Sequence, residues 1–314
     1  MLLLVRRRSL AASIVVLALG LSLHLAGCDS TPAGQVEVLA SIGKTGRGPC
    51  EFIYPRAIDL AADGTLWVVD KTGRLQHIGP DGSFISVIRM PEIEAGKPTG
   101  LSIGPDGNVW VADTHYHRVM VFSPAGELVR QFGRFGQGPG CFIYPTDVAF
   151  ADDGRVFVSE YGGNDRVSVF SPQGKFLHSF GSPGSGRGQF SRPAALAVDQ
   201  KRRRLYVADA VNHRIAIYDL RGGLLGYIGA AGKGPGELRY PYDLALTADG
   251  SLVVCEYGNN RLQVFAPDGA SRGTYGGPGR QLGQLAYPWG VAVDDKGTAY
   301  VVDAGNNRLQ VWRL

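Results

Sequence analysis

Six prolines divide most of this chain into near-equal units: Pro55, Pro98, Pro145, Pro193, Pro241 and Pro288, at intervals of 43, 47, 48, 48 and 47 residues. A period in this range points to a repeat architecture, in which each unit buries its apolar face against the next. After each proline comes a short apolar strand, such as Asp147-Val148-Ala149-Phe150, and then a tight turn. Four of these turns are Asp-Gly: Asp63-Gly64, Asp106-Gly107, Asp153-Gly154 and Asp249-Gly250. Asp-Gly accepts the positive φ of a two-residue hairpin, so the next strand must run antiparallel. That strand is apolar, as in Leu66-Trp67-Val68-Val69 and Leu205-Tyr206-Val207-Ala208. A third strand (Arg261 to Phe265 in the fifth unit) and a fourth (Ser271 to Tyr275) complete the unit. Four antiparallel strands per repeat are the pattern of a propeller blade.

The two ends of the repeat region argue for a closed ring. The sixth unit stops at its third strand, Arg308 to Leu314, while an unassigned strand-like segment, Val36 to Gly43, precedes the first proline. That segment matches the fourth strands elsewhere, such as Gly126 to Gly133. It would complete the last blade and remove the open sheet edge that otherwise templates aggregation. The expected fold is therefore an all-β, six-bladed β-propeller over residues 36–314. Ala304-Gly305-Asn306-Asn307-Arg308-Leu309-Gln310-Val311 after Val301-Val302-Asp303 resembles the NHL repeat, as does Ala210-Val211-Asn212-His213-Arg214-Ile215 after Asp209. The opening phrase Pro288-Trp289-Gly290-Val291-Ala292-Val293-Asp294 is similar too. The resemblance implies a ligand-binding face on the ring. It does not fix an activity, because related propellers include enzymes.

Residues 1–27 read as a signal segment. Arg6, Arg7 and Arg8 precede an uncharged run from Leu10 to Leu25, the order of a secretory signal. The run ends Leu25-Ala26-Gly27-Cys28, which resembles the lipobox of bacterial lipoproteins. That resemblance implies acylation of Cys28, a tether over 28–35, and a lipid-anchored protein of the bacterial cell envelope facing the periplasm or the exterior. Two or more acyl chains would hold it firmly, where one holds only marginally. The formal charge is +4, and three of the arginines lie ahead of Cys28, so the remainder is near +1. A near-neutral chain lacks the basic face of a nucleic-acid binder. Three further cysteines, Cys50, Cys141 and Cys255, show no metal-knuckle spacing and fall where a disulfide would have to join non-neighbouring units.

Each blade pairs an acid ending its second strand with an arginine opening its third: Asp70/Arg74, Asp113/Arg118, Glu160/Arg166, Asp209/Arg214, Glu256/Arg261 and Asp303/Arg308. A pair that recurs in all six units reads as a pinned turn rather than a functional site. Differences between blades say more. Blades 3 and 5 place Asp147 and Asp243 two residues after the proline, where the others carry Ala57, Gly100, Ala195 and Gly290. Asp59 lies on the matching strand of blade 1. Propeller first strands line the central channel, so these carboxylates need water, a partner or a cation such as Ca²⁺. Tyr54, Tyr144, Tyr240 and Tyr287 precede the prolines; Tyr242 and Trp289 follow them, and Tyr161 and Tyr257 end second strands. Tyr161, Tyr242, Tyr257 and Trp289 are the candidate binding face, since aromatics on a loop face are typical contact residues. No nucleophile, base and orienting group can be assembled from spacing. His117 and His213 occupy the slot that Asn260 and Asn307 hold elsewhere. The expected function is a non-catalytic binding or scaffold propeller for a protein, peptide or glycan, with no oligomer implied. The alternative is a metal-dependent hydrolase, lactonase or lyase using Asp147 and Asp243 in the channel.

Overall fold

The computed structural model describes residues 36–314; the signal segment, Cys28 and the tether lie outside the described residues. Six four-stranded antiparallel sheets form the blades. Blade 3 shows the plan, with Tyr144–Phe150, Val156–Tyr161, Arg166–Phe170 and Phe176–Phe180 pairing in order. Blade 6 takes Gly290–Val293, Thr298–Asp303 and Arg308–Arg313 from the end of the repeat region and Glu37–Ile42 from its start. Glu37 pairs with Arg313 and Ile42 with Leu309, so the N-terminal strand is the missing fourth strand. The only helices among the described residues are two single 3-10 turns, Thr114–Tyr116 and Ala304–Asn306.

The core lies between blades. Six apolar clusters occupy the six blade-to-blade contacts. The contact between blades 1 and 2 holds Trp67, Val69 and Leu75 against Val109, Val111 and Met120. The contact that closes the ring holds Ile58, Leu66 and Val68 against Tyr300, Val302 and Leu309, with Ile42 and Phe52 filling between. The second strand of each blade is buried on both faces, which explains why it reads as a continuous apolar run instead of an alternation.

The glycine-rich connections serve turn geometry. In four of them a short parallel bridge recurs: Phe135 with Phe142, Pro183 with Phe190, Ala231 with Leu238, and Pro278 with Leu285. Phe142, Phe190, Leu238 and Leu285 are fully buried as a result. Gly181 shows why glycine is needed at the strand exit. Its φ is +90°, and a Cβ there would lie 2.4 Å from Cε2 of Phe190.

Candidate functional site

All six acid–arginine pairs form, at 2.5 to 2.8 Å. The acids are fully buried, and each guanidinium reaches beyond its acid to other groups. Arg214 donates to the carbonyls of Ser185, Gly186 and Gln189, and Arg261 to those of Lys233, Gly234 and Glu237. The acid accepts a backbone N–H from the strand approach: Glu160 from Ile143, Asp209 from Ser191, Glu256 from Arg239. The pair therefore fastens the glycine-rich loop to its blade. Blade 2 differs. Its connection, residues 91–98, lacks that loop, and Arg118 turns instead to Glu92 at 2.6 Å.

The slot before the arginine joins blade to blade. Asn260 accepts the N–H of Tyr287, Asn307 that of Tyr54, Asp165 that of Arg192, and His213, through Nδ1, that of Tyr240. His213 is thus a variant of a linking position, and burial pushes its imidazole below the usual value; His117, in the same slot, instead sets Nδ1 against the carbonyl oxygen of Ile143. Cys50, Cys141 and Cys255 are free thiols. Cys255 is fully buried, and burial beside Asp243 raises its thiol pKa far above the reactive range.

The first strands enclose a central cavity of about 300 Å³, lined by all six blades. Asp59, Asp147 and Asp243 face it from alternate blades, and each also holds the next blade. Asp59 accepts the N–H of Ile103 at 2.7 Å, Asp147 that of Leu196 at 2.8 Å, and Asp243 that of Val291 at 2.8 Å. The second oxygens of Asp59 and Asp243 accept from Leu60 and Leu244, and Ser102 donates to Asp147. The three carboxylates are thus inter-blade fasteners as well as channel groups. Burial raises Asp59 to about 6 and Asp147 to about 7. Asp243 is raised well above the ordinary carboxylate range, by burial first and then by the charge of Asp147. Among the described residues, no group of three His, Cys, Asp or Glu side chains is arranged to hold a metal ion.

The mouth of the cavity has different chemistry. Tyr161, Arg192, Tyr242, Trp289 and Arg56 line it. Tyr242 stacks on Tyr257 at 4.7 Å and meets Trp289 at 5.0 Å; Trp289 also meets Tyr257 edge-on at 5.6 Å and Tyr54 at 5.7 Å. The four predicted aromatics fall in one region: Tyr242, Tyr257 and Trp289 pack together, and Tyr161 lies across Arg192 from Tyr242. Arg192 lies 5.1 Å from the Tyr161 ring and 5.2 Å from the Tyr242 ring, while Arg56 lies 5.4 Å from Trp289. Sequence reasoning did not single out the two arginines. A signal was present: they flank the opening proline, where other blades carry tyrosine or, in blade 2, lysine before it and threonine, alanine or an aromatic after it. Arg56 and Tyr242 are also the extra residues of β-bulges, at the register shifts between Pro55 and Ala57 and between Pro241 and Asp243. A bulge re-aims its side chain, here toward the cavity.

Comparison with known proteins agrees with this architecture. A family model described as a 6-bladed beta-propeller matches residues 147–227, and the NHL repeat model matches residues 96–122, 238–265 and 285–312. Peptidyl-glycine alpha-amidating monooxygenase of Mus musculus is 39% identical over 130 residues, which are 37% of this chain and 13% of that protein. Protein brain tumor of Drosophila melanogaster is 32% identical over 65 residues, 20% of this chain and 6% of that protein. The match therefore spans only a small part of these curated relatives. Among solved structures, virginiamycin B lyase from Staphylococcus aureus is similar with a TM-score of 0.59 at 17% identity, covering 82% of this chain and 79% of that one. A Bacteroides thetaiotaomicron protein of unknown function gives 0.65 at 17%, covering 87% and 76%. At these identities the likeness concerns the fold. The chain is a six-bladed β-propeller built from NHL repeats.

Proposed function

We propose that this protein is an envelope-anchored binding propeller that presents its channel mouth to a protein, peptide or glycan, with Cys28 carrying the lipid. The observation that carries this reading is the mouth itself. Three aromatic rings, Tyr161, Tyr242 and Trp289, and two arginines with no acidic partner line a cavity, with Tyr54 and Tyr257 packed against Trp289, on a ring where the arginine of every blade's acid–arginine pair is ion-paired. Tyrosine, tryptophan and arginine are the residue types that dominate binding energy at interfaces. The test is photo-crosslinking in intact envelopes, with the reactive group at Tyr287, 52% exposed beside the mouth, or at Leu225, 54% exposed on an outer strand. Capture from position 287 and not from 225 is the expected result. Equal capture from both, or none from 287, would remove the reading. For the anchor, Cys28→Ser is expected to move the protein from the membrane to the soluble fraction.

The second reading is a metal-dependent hydrolase, lactonase or lyase. It is favoured by three carboxylates on one cavity, two of them titrating near neutral pH, as catalytic acids and bases do. A divalent cation such as Ca²⁺ would have to compete with the backbone N–H groups these oxygens now accept from. Calorimetric titration with Ca²⁺, Mg²⁺ and Zn²⁺, repeated with Asp147→Ala and Asp243→Ala, tests it. Stoichiometric binding lost in both variants would support the enzyme.

A further inference from the structure

We infer that the channel mouth is a carboxylate clamp, in which Arg56 and Arg192 bridge the carboxylate of a ligand whose body lies on Tyr242, Tyr257 and Trp289. This rests on the proposed reading of the mouth as a binding face and names the chemistry it takes. Arg56 belongs to blade 1 and Arg192 to the approach of blade 4, which stand opposite each other in a six-fold ring. Both line the same cavity, and the positive charge of Arg192 is among the influences that lower the Arg56 pKa, behind burial. Two cations held on opposite sides of one opening repel, so the site favours a negative group between them.

The donors are free to receive it. Arg192 has no carboxylate within 4.0 Å and no side-chain hydrogen bond among the described residues; its guanidinium carbon lies over the rings of Tyr161 and Tyr242 at 5.1 and 5.2 Å. A guanidinium engaged only with aromatic rings keeps its N–H fork for a planar acceptor. Arg56 makes only two contacts at 3.5 Å, from Nη1 to the carbonyls of Lys97 and Pro98, and its buried Nε has no partner. Leaving such a group unpaired is costly, so an acceptor arriving there gains that much more. The cavity aspartates form no ion pair with either arginine among the described residues; their oxygens are turned to the backbone of neighbouring blades.

The shape selects the ligand further. A cavity of about 300 Å³ is at the lower end of small-molecule sites, so it admits a small acid or a chain end and not a folded surface. The planar guanidinium fork matches a planar carboxylate. The adjoining wall is aromatic, which suits a flat or apolar body more than a heavily hydrated one.

The experiment is calorimetry of the full chain with N-acetyl-phenylalanine and its amide, and with glucuronate and glucose, to separate a peptide-like from a sugar-like source. The acid of one pair is expected to bind, with its neutral counterpart weaker by roughly tenfold or more. Arg192→Gln and Arg56→Gln are each expected to lose a similar factor, and Lys201→Gln, on an exposed turn, none. Arg192→Lys keeps the charge without the fork and is expected to fall between. Unfolding midpoints of each variant separate lost binding from lost folding. The clamp is wrong if neither acid binds, if acid and neutral counterpart bind alike, or if the folded arginine variants bind unchanged. Partner capture from position 287 that persists in those cases would leave the binding reading standing and remove only the carboxylate.

Discussion

Asp147 shows how one residue answers to two demands. It is 9% exposed, and its oxygens hold Leu196 of the next blade, yet it faces a cavity shared with Asp59 and Asp243. Its carboxyl is raised to about 7, so on raising the pH the unfolded chain loses its proton first, near the ordinary value of 3.8. The folded state is then penalised progressively, and stability falls between about pH 4 and pH 7. Asp59, raised to about 6, acts in the same direction. The midpoint of thermal unfolding is therefore expected to drop from pH 5 to pH 8, and Asp147→Asn to shrink that drop. An unchanged pH profile in the variant would mean that Asp147 is ionised across the range. Opposite logic applies to the acid–arginine pairs. Arg214→Ala would leave the fully buried Asp209 without its cation and is expected to cost about 3–5 kcal/mol, read from denaturant midpoints.

A blade is the smallest element with a recognisable sequence, but it has no core of its own. Its apolar faces are completed only by the blades on either side. The exit of the fourth strand is one place where that packing is tight. Gly181→Ala combines a φ of +90° with a clash against Phe190 and is expected to destabilise by about 2 kcal/mol or more in chemical denaturation. Gly64→Ala, also at positive φ but with open space around its Cβ position, carries the backbone strain alone and is expected to cost less. If the two cost the same, packing of Phe190 is not the reason for Gly181. At this scale the strands, their order and the Asp-Gly turns were legible in the residues, because hairpin chemistry and apolar runs are local. The bulges at Arg56 and Tyr242 were not, since a register shift depends on the partner strand.

The molecule as a whole depends on a segment far from its blade in sequence. Glu37–Ile42 pairs with Arg308–Arg313, and Ile42 packs in the cluster that joins blade 6 to blade 1. Deleting residues 36–43 is expected to lower the unfolding midpoint and to produce concentration-dependent association, measurable by light scattering, through the exposed edge of Arg308–Arg313. A truncated chain that stays monomeric would show that three strands suffice for the last blade.

The period of the prolines, the turn residues and the unmatched strand at Val36 determined by themselves the number of blades, their strands and the closure of the ring. Those are consequences of local conformational preference repeated six times. The six acid–arginine pairs were visible for the same reason, as a spacing within each unit. What the tertiary structure alone decided is the channel mouth. Arg56 and Arg192 are separated by three blades in sequence and line one cavity only because the ring brings blades 1 and 4 to opposite sides of it. Asp59, Asp147 and Asp243 likewise became inter-blade fasteners once their oxygens reached the backbone of the following blade. No local preference encodes a contact across a central axis. Curvature of the whole ring sets it, and that curvature is the summed packing of six blade interfaces.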